Sequence, residues 1–254
     1  MTAPTLRYER ELLRSGVTAI ACADEAGRGA LCGPVSVGVV LVTGRTPTAP
    51  KGVRDSKLLS EQRRMDLAPK IRRWADHAVG MASAAEIDEL GIMAALRLAG
   101  HRALTALPMR ADLVLLDGNH DYLTPAAQAS LFGDGPVDGG VAIDVPRVVT
   151  RVKADMQCAG VAAASILAKT ARDAIMVDLS GQFPDYRWEE NKGYAAPEHL
   201  DALRRLGPTP HHRVSWSLPA RVCPPDEDRM PRGDLGPGSG DTMAVLTPIG
   251  GTPG

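Results

Sequence analysis

The apolar residues of this chain gather in short β-branched runs separated by stretches of helical spacing. Val17–Cys22 and Val35–Val42 are apolar and rich in Val, and both are predicted strands, with Gly44–Pro50 as a loop after the second. Ser60 stands where it can N-cap a helix whose first turn is Glu61-Gln62-Arg63. Pro69 falls inside that pattern and predicts a kink or an early end, because it lacks the donor a helix needs. Val79–Ala82 is a short strand candidate. Ser83 and Glu86 have capping-box spacing ahead of Ile87, Leu90, Ala94 and Leu98, which predicts a helix through those positions. Ala111–Leu116 reads as a strand entering Asp117-Gly118, Gly133–Gly140 as a loop, and Val145–Val152 as a further strand. Ala159–Leu179 is a long Ala-rich helix. Pro197 opens a last short helix, which Gly207-Pro208 closes. Strands come first and then alternate with helices, so the expected class is α/β: one mixed β-sheet flanked by helices, with a small helical C-terminal portion.

Composition changes this picture at the end of the chain. Pro219–Gly254 holds 7 Pro and 7 Gly in 36 residues, too little apolar surface to offset ordering entropy, so 219–254 is expected to be a disordered tail. The expected organisation is an N-terminal segment 1–16, a catalytic domain 17–218 and that tail. Lys+Arg is 29 and Asp+Glu 30, which excludes grip on nucleic acid through bulk positive charge but not through a local patch. Aromatics at 4% argue against base-stacking platforms. Cys22, Cys32, Cys158 and Cys223 have no CxxC spacing, so neither zinc nor a disulfide scaffold is expected. The N-terminus lacks an apolar signal core and no run has the length of a membrane span; a cytoplasmic protein with no membrane partner is expected.

Four acids stand where strands end: Asp24 and Glu25 after the first, Asp117 after ADLVLLD, Asp155 after RVVTRVKAD. One Asp at a strand end is ordinarily a turn or cap residue. Four converging on one sheet edge would raise each other's pKa, and divalent cations relieve that repulsion. Oxygen ligands without Cys or His point to Mg²⁺ or Mn²⁺, and paired ions of this kind serve phosphodiester hydrolysis. Gly27, Gly29 and Gly33 are spaced GxGxxxG before a strand, which excludes a dinucleotide fingerprint. Glycines flanking Arg28 suit either a tight hairpin or a close backbone approach to a phosphate or sugar.

The run DEAGRG (Asp24–Gly29) with GPV (Gly33–Val35) resembles the signature of bacterial ribonuclease HII, the type 2 ribonuclease H family. DSKLLS (Asp55–Ser60), LLDGN (Leu115–Asn119), VKAD (Val152–Asp155), AAASILAKTARD (Ala162–Asp173), NKGY (Asn191–Tyr194), EH (Glu198–His199) and HRVSW (His212–Trp216) follow in family order, so the resemblance covers roughly residues 17–217. It implies a ribonuclease H-like fold and an endonuclease that cuts the RNA strand of RNA–DNA hybrids. It also implies nicking on the 5′ side of ribonucleotides embedded in duplex DNA, leaving 5′-phosphate and 3′-hydroxyl, with Mg²⁺ or Mn²⁺ as cofactor. The family's catalytic and metal-binding carboxylates fall on Asp24, Glu25, Asp117 and Asp155. Its 2′-hydroxyl-reading turn falls on Gly27, Arg28 and Gly29, and its junction-sensing tyrosine on Tyr194. Lys57, Ser165, Lys169, Arg172 and His199 match further substrate-binding positions, with a structural role equally open for Arg172.

Residues 51–73 carry eight Lys/Arg against three acids, the strongest basic excess of the chain. The sequence departs from the family at Ala195-Ala196-Pro197, where NKGYGT is common, which bears on the pose of Tyr194. About 16 residues precede the first strand, too few for the extra N-terminal domain of the related HIII type. A monomer is expected. A family-like sliding-clamp contact finds no convincing clamp-binding peptide in the tail. Two other classes, a hybrid-binding module without catalysis and a nucleotide-cofactor enzyme, are disfavoured by the four acids and by the glycine spacing.

Overall fold

The computed structural model describes residues 3–125 and 144–220, which belong to one compact unit, Met1–Arg221. The Gly133–Gly140 loop and, past Ala220, the 219–254 tail lie outside the described residues. In chain order the elements are α1 (Arg7–Arg14), β1 (Ala19–Ala26), β2 (Val35–Thr43), α2 (Glu61–Trp74), β3 (His77–Ala82), α3 (Ala84–Leu90) and α4 (Ile92–Thr105). Then come β4 (Leu113–Asp117), β5 (Arg147–Arg151), α5 (Ala154–Gln157), α6 (Ala159–Ser180), α7 (Trp188–Asn191) and α8 (Pro197–Leu206).

The strands form one mixed sheet in the order β3-β2-β1-β4-β5. β2 pairs antiparallel with β1 and β3, whereas β4 pairs parallel with β1 on one side and β5 on the other. The C-terminal ends of β1, β4 and β5 therefore lie side by side. One face of the sheet buries Val37, Val39, Val114 and Leu116 against Ile87, Leu96 and Ala99 of α3 and α4. The other buries Ile20, Val40, Val42 and Leu115 against Ala163, Ile166 and Leu167 of α6 and Leu67 and Ile71 of α2. A third cluster, with Trp188, Tyr186, Met176 and Leu203, forms the small C-terminal helical part.

Several expectations need correcting. Asp24 and Glu25 lie inside β1 rather than after it, because the antiparallel ladder continues through Asp24↔Gly38, Glu25↔Val37 and Ala26↔Ser36. The β1–β2 connection is consequently the loop 27–34, not a two-residue hairpin. Pro69 neither ends nor interrupts α2, which runs on to Trp74. Pro69 is exposed, Ser60 caps the helix start by accepting from the Arg63 amide, and Leu67, Ala68 and Ile71 bury the opposite face. The capping box of Ser83 and Glu86 is formed, yet the helix it opens stops at Leu90. Gly91, at φ +78°, turns the chain out of helical geometry before α4 begins.

The N-terminal segment contains α1, which docks on the start of α6. The Thr5 amide donates to the Gln157 carbonyl (3.1 Å), and the Ala159 amide donates to the Thr5 carbonyl (3.1 Å). Glu9, wholly buried, accepts from the Gly160 amide at 2.8 Å, and burial raises its pKa.

Candidate active site

β1 carries Asp24, β4 ends on Asp117, and Asp155 follows β5 by one helical turn. That turn begins at Lys153 in the left-handed region (φ 58°). Asp117 holds the turn itself: its Oδ1 accepts from the amides of Ala154 (2.6 Å) and Asp155 (3.3 Å). One acid of the cluster thus positions another. Oxygen atoms of Asp24, Asp117 and Asp155 all lie within 4.8 Å of one another.

The electrostatics are those of packed like charges in a poorly hydrated place. Asp24 is 5% exposed, and its pKa rises well above the usual carboxylate range, first through burial and then through Glu25, Asp117 and Asp155, with the Ser165 hydroxyl opposing. Asp155 is pushed up to about 6 by burial and then by Asp117 and Asp55. Lys57 answers this charge. Burial disfavours its ammonium, but Asp24, Asp55, Asp155 and Asp117 together outweigh that and raise its pKa. An all-oxygen carboxylate set that repels itself is the donor chemistry that fits a hard divalent cation. Removing the repulsion is what such an ion does on binding.

The fourth predicted acid sits differently. Successive side chains of a strand point to opposite faces, and the Glu25 carboxylate accepts from Tyr122 Oη at 3.4 Å on the α4 side of the sheet. Arg28 lies 3.8 Å from its other oxygen. Burial raises the Glu25 pKa, against the pull of Arg28.

Beyond β1, Arg28 and Gly29 are exposed and Gly27 is buried. Ser165, Lys169 and Arg172 form one row on α6, as their spacing predicts. Ser165 is buried and donates to Ser56 Oγ at 2.9 Å, beside Asp24. Lys169 pairs with Asp173 at 2.7 Å and lies 5.0 Å from the ring centre of Tyr194. Arg172 lies 5.1 Å from the same ring centre. The row therefore leads from the carboxylates to the half-buried Tyr194.

Besides Ser165 and Gly27, two further predicted substrate contacts are buried. Arg172 is 0% exposed and donates to the carbonyls of Pro34 (3.0 Å), Lys192 (2.8 Å) and Cys32 (2.9 Å). His199 is also 0% exposed. It pairs with the Tyr194 carbonyl (2.8 Å) and with His212 (3.0 Å), and it accepts from Trp188 Nε1 (3.3 Å). Among the basic residues of the 51–73 strip, Arg64 is likewise held inward, on the carbonyls of Ser56 and Leu59. Sequence reasoning missed Tyr122, whose signal was an aromatic five residues past Asp117. It also missed Arg213, which stood inside the HRVSW block with no role attached.

A mixed sheet whose parallel strand ends carry three converging carboxylates, beside an exposed glycine turn, defines a nuclease-type hydrolase with an acidic metal-binding site. Residues 21–218 match the family model Ribonuclease HII. A ribonuclease HII of Streptomyces avermitilis is 44% identical over 216 residues, covering 84% of each chain. The chain belongs to the ribonuclease HII family. The ribonuclease H2 of Pyrococcus horikoshii shares its fold, with a TM-score of 0.59 at 24% identity over 78% of this chain and 94% of that one. The RNase HII of Archaeoglobus fulgidus, solved in complex with PCNA, aligns with a TM-score of 0.57 at 25% identity over 78% of this chain and 93% of that one. No helix among the described residues is long and apolar enough to cross a membrane.

Proposed function

We propose that this chain hydrolyses the RNA strand of RNA–DNA hybrids and nicks duplex DNA on the 5′ side of single embedded ribonucleotides. The observation that carries the reading is the Asp24–Asp117–Asp155 cluster, with ligand oxygens within 4.8 Å and with Asp24 on the strand that runs into the Gly27–Gly29 turn. Asp24, Asp117 and Asp155 are the residues to hold Mg²⁺ or Mn²⁺, with Glu25 as a fourth carboxylate on the neighbouring face. When bound, such ions supply an activated water and stabilise the departing 3′-oxygen of the phosphodiester. Asp117 fixes the Asp155 turn, so the ligand set is organised before substrate arrives. Lys57 places one ammonium beside an excess of carboxylate, where a substrate phosphate passes. The exposed amides of Arg28 and Gly29 suit a 2′-hydroxyl, the group that separates RNA from DNA. Tyr194, backed by Lys169 and Arg172, offers a ring face to a deoxyribose at the junction. Arg172 and His199 serve this site by holding backbone rather than by touching phosphate.

The test is a duplex carrying one ribonucleotide, incubated with Mg²⁺, Mn²⁺ or EDTA. Metal-dependent nicking 5′ to the ribonucleotide, leaving a 3′-hydroxyl, is expected. Tight binding without nicking under either metal would refute hydrolysis.

A further inference from the structure

Arg213 is a fully buried cation at the back of the glycine turn, with no carboxylate in ion-pair contact among the described residues. Burying a charge in this way is costly unless its donors are satisfied. Here they are satisfied by backbone carbonyls alone. Nη2 donates to Gly27 O (2.7 Å), Nη1 to Arg28 O (2.9 Å) and Nε to Gly33 O (3.2 Å). A trans peptide points its C=O and N–H in opposite directions. The Gly27 carbonyl, which also accepts from the Ala30 amide (3.2 Å), is thus pinned inward and turns the Arg28 amide outward, and the Arg28 carbonyl, pinned by Arg213, turns the Gly29 amide outward. Neither amide donates to another group among the described residues, and both residues are exposed. Arg213 is itself held in place. The following amides, of Val214 (2.9 Å) and Ser215 (3.0 Å), donate to Asp88, and the Trp216 ring lies 4.8 Å from the guanidinium carbon.

We infer that Arg213 is the positioning residue of the sugar-reading turn: it sets the two peptide planes whose outward amides select a 2′-hydroxyl, without touching substrate. This rests on the proposal that the turn reads the 2′-hydroxyl, and it goes beyond that by naming what aims the amides. A guanidinium fork suits the task because it reaches several carbonyls in one plane, which the single ammonium of lysine does not.

The experiment measures KM for a duplex with one ribonucleotide and the inhibition constant Ki of the same duplex made wholly of DNA. The ratio Ki/KM reports sugar selection. Arg213→Lys is expected to lower this ratio about tenfold, since two neutral hydrogen bonds are misaimed. The loss should fall on KM, with Ki changed by less than about twofold because phosphate contacts dominate it. Asp88→Ala, which frees the Val214 and Ser215 amides that follow Arg213 and leaves the turn intact, is expected to shift the ratio the same way by a smaller factor. It decides the matter if Arg213→Lys does not fold. Gly29→Pro against Gly29→Ala tests the underlying reading separately, since only proline deletes the amide. If Gly29→Pro lowers the ratio and both Arg213→Lys and Asp88→Ala leave it unchanged, the role of Arg213 is overturned and the reading of the turn stands. If Gly29→Pro leaves the ratio at the Gly29→Ala value, the reading of the turn fails and the inference falls with it.

Discussion

Alanine at two glycines two positions apart should have opposite consequences. Gly27 has φ +84°, and a Cβ there would lie 2.2 Å from Arg172 Nε, 2.5 Å from its Cδ and 2.8 Å from the Pro34 carbonyl oxygen. Arg172 cannot retreat, because it is wholly buried and tied to three carbonyls at 2.8–3.0 Å. The left-handed backbone costs an alanine about 1–2 kcal/mol, and overpacking a rigid site costs about 1–3 kcal/mol. Gly27→Ala should therefore lose about 2–5 kcal/mol, which for a domain of this size lowers Tm by about 4–20 °C. Gly29 has nothing within 4 Å of its would-be Cβ and no left-handed φ, so Gly29→Ala should stay within about 0.5 kcal/mol of the parent. Urea melts of both variants at equal m-value provide the comparison. The packing argument is refuted if Gly27→Ala melts with the parent, or if Gly29→Ala is destabilised as much.

The remaining expectations concern the site and its surroundings. Asp24→Asn should abolish nicking and yet raise the Tm of the metal-free protein, because it removes one of the mutually repelling carboxylates; a lower Tm in EDTA would count against that repulsion. Mn²⁺ should raise the Tm of the parent and leave that of Asp24→Asn nearly unmoved, as followed by scanning fluorimetry. Tyr194→Ala should reduce kcat/KM on single-ribonucleotide duplexes more than on long hybrids, and equal losses would make Tyr194 purely structural. The Arg102 guanidinium, bonded to Glu86 at 2.7 Å, lowers the Glu86 pKa to about 2. A lowered acid stabilises the fold above its unfolded value near 4.5, and that stability is lost as pH falls toward 2. The Tm advantage of the parent over Glu86→Gln should therefore shrink across that interval; a constant difference would remove the ion pair from the account.

The sheet and its flanking helices were legible in the sequence because each element carries its own period, and the Ser60 and Ser83 caps announce their helices. What escaped depended on partners far along the chain. Asp24 and Glu25 look like residues after a strand until the register with Gly38 and Val37 shows the ladder running through them. Pro69 looks like a helix breaker until the buried row Leu67, Ala68 and Ile71 holds the helix from below. At the site, Asp24, Asp117 and Asp155 were legible because acids after apolar runs are conspicuous. Arg213 was not, because in a sequence a buried arginine bound to carbonyls looks like any solvated cation; for Arg172 the sequence left a phosphate contact and a structural role equally open, and its burial favours the second. His199, taken as a substrate contact, proves to be one link in a buried chain that ends on the Tyr194 carbonyl.

The docking of α1 bears on how the enzyme is born. Glu9 meets Gly160 across 151 positions of sequence, so a ribosome must deliver the chain through Gly160 before the first helix can settle. Closing so long a loop is a late and entropically expensive event. The residues joined there, Gln157 to Gly160, adjoin the turn that bears Asp155. A chain whose first helix has not yet docked would therefore hold the Asp155 turn without its N-terminal brace.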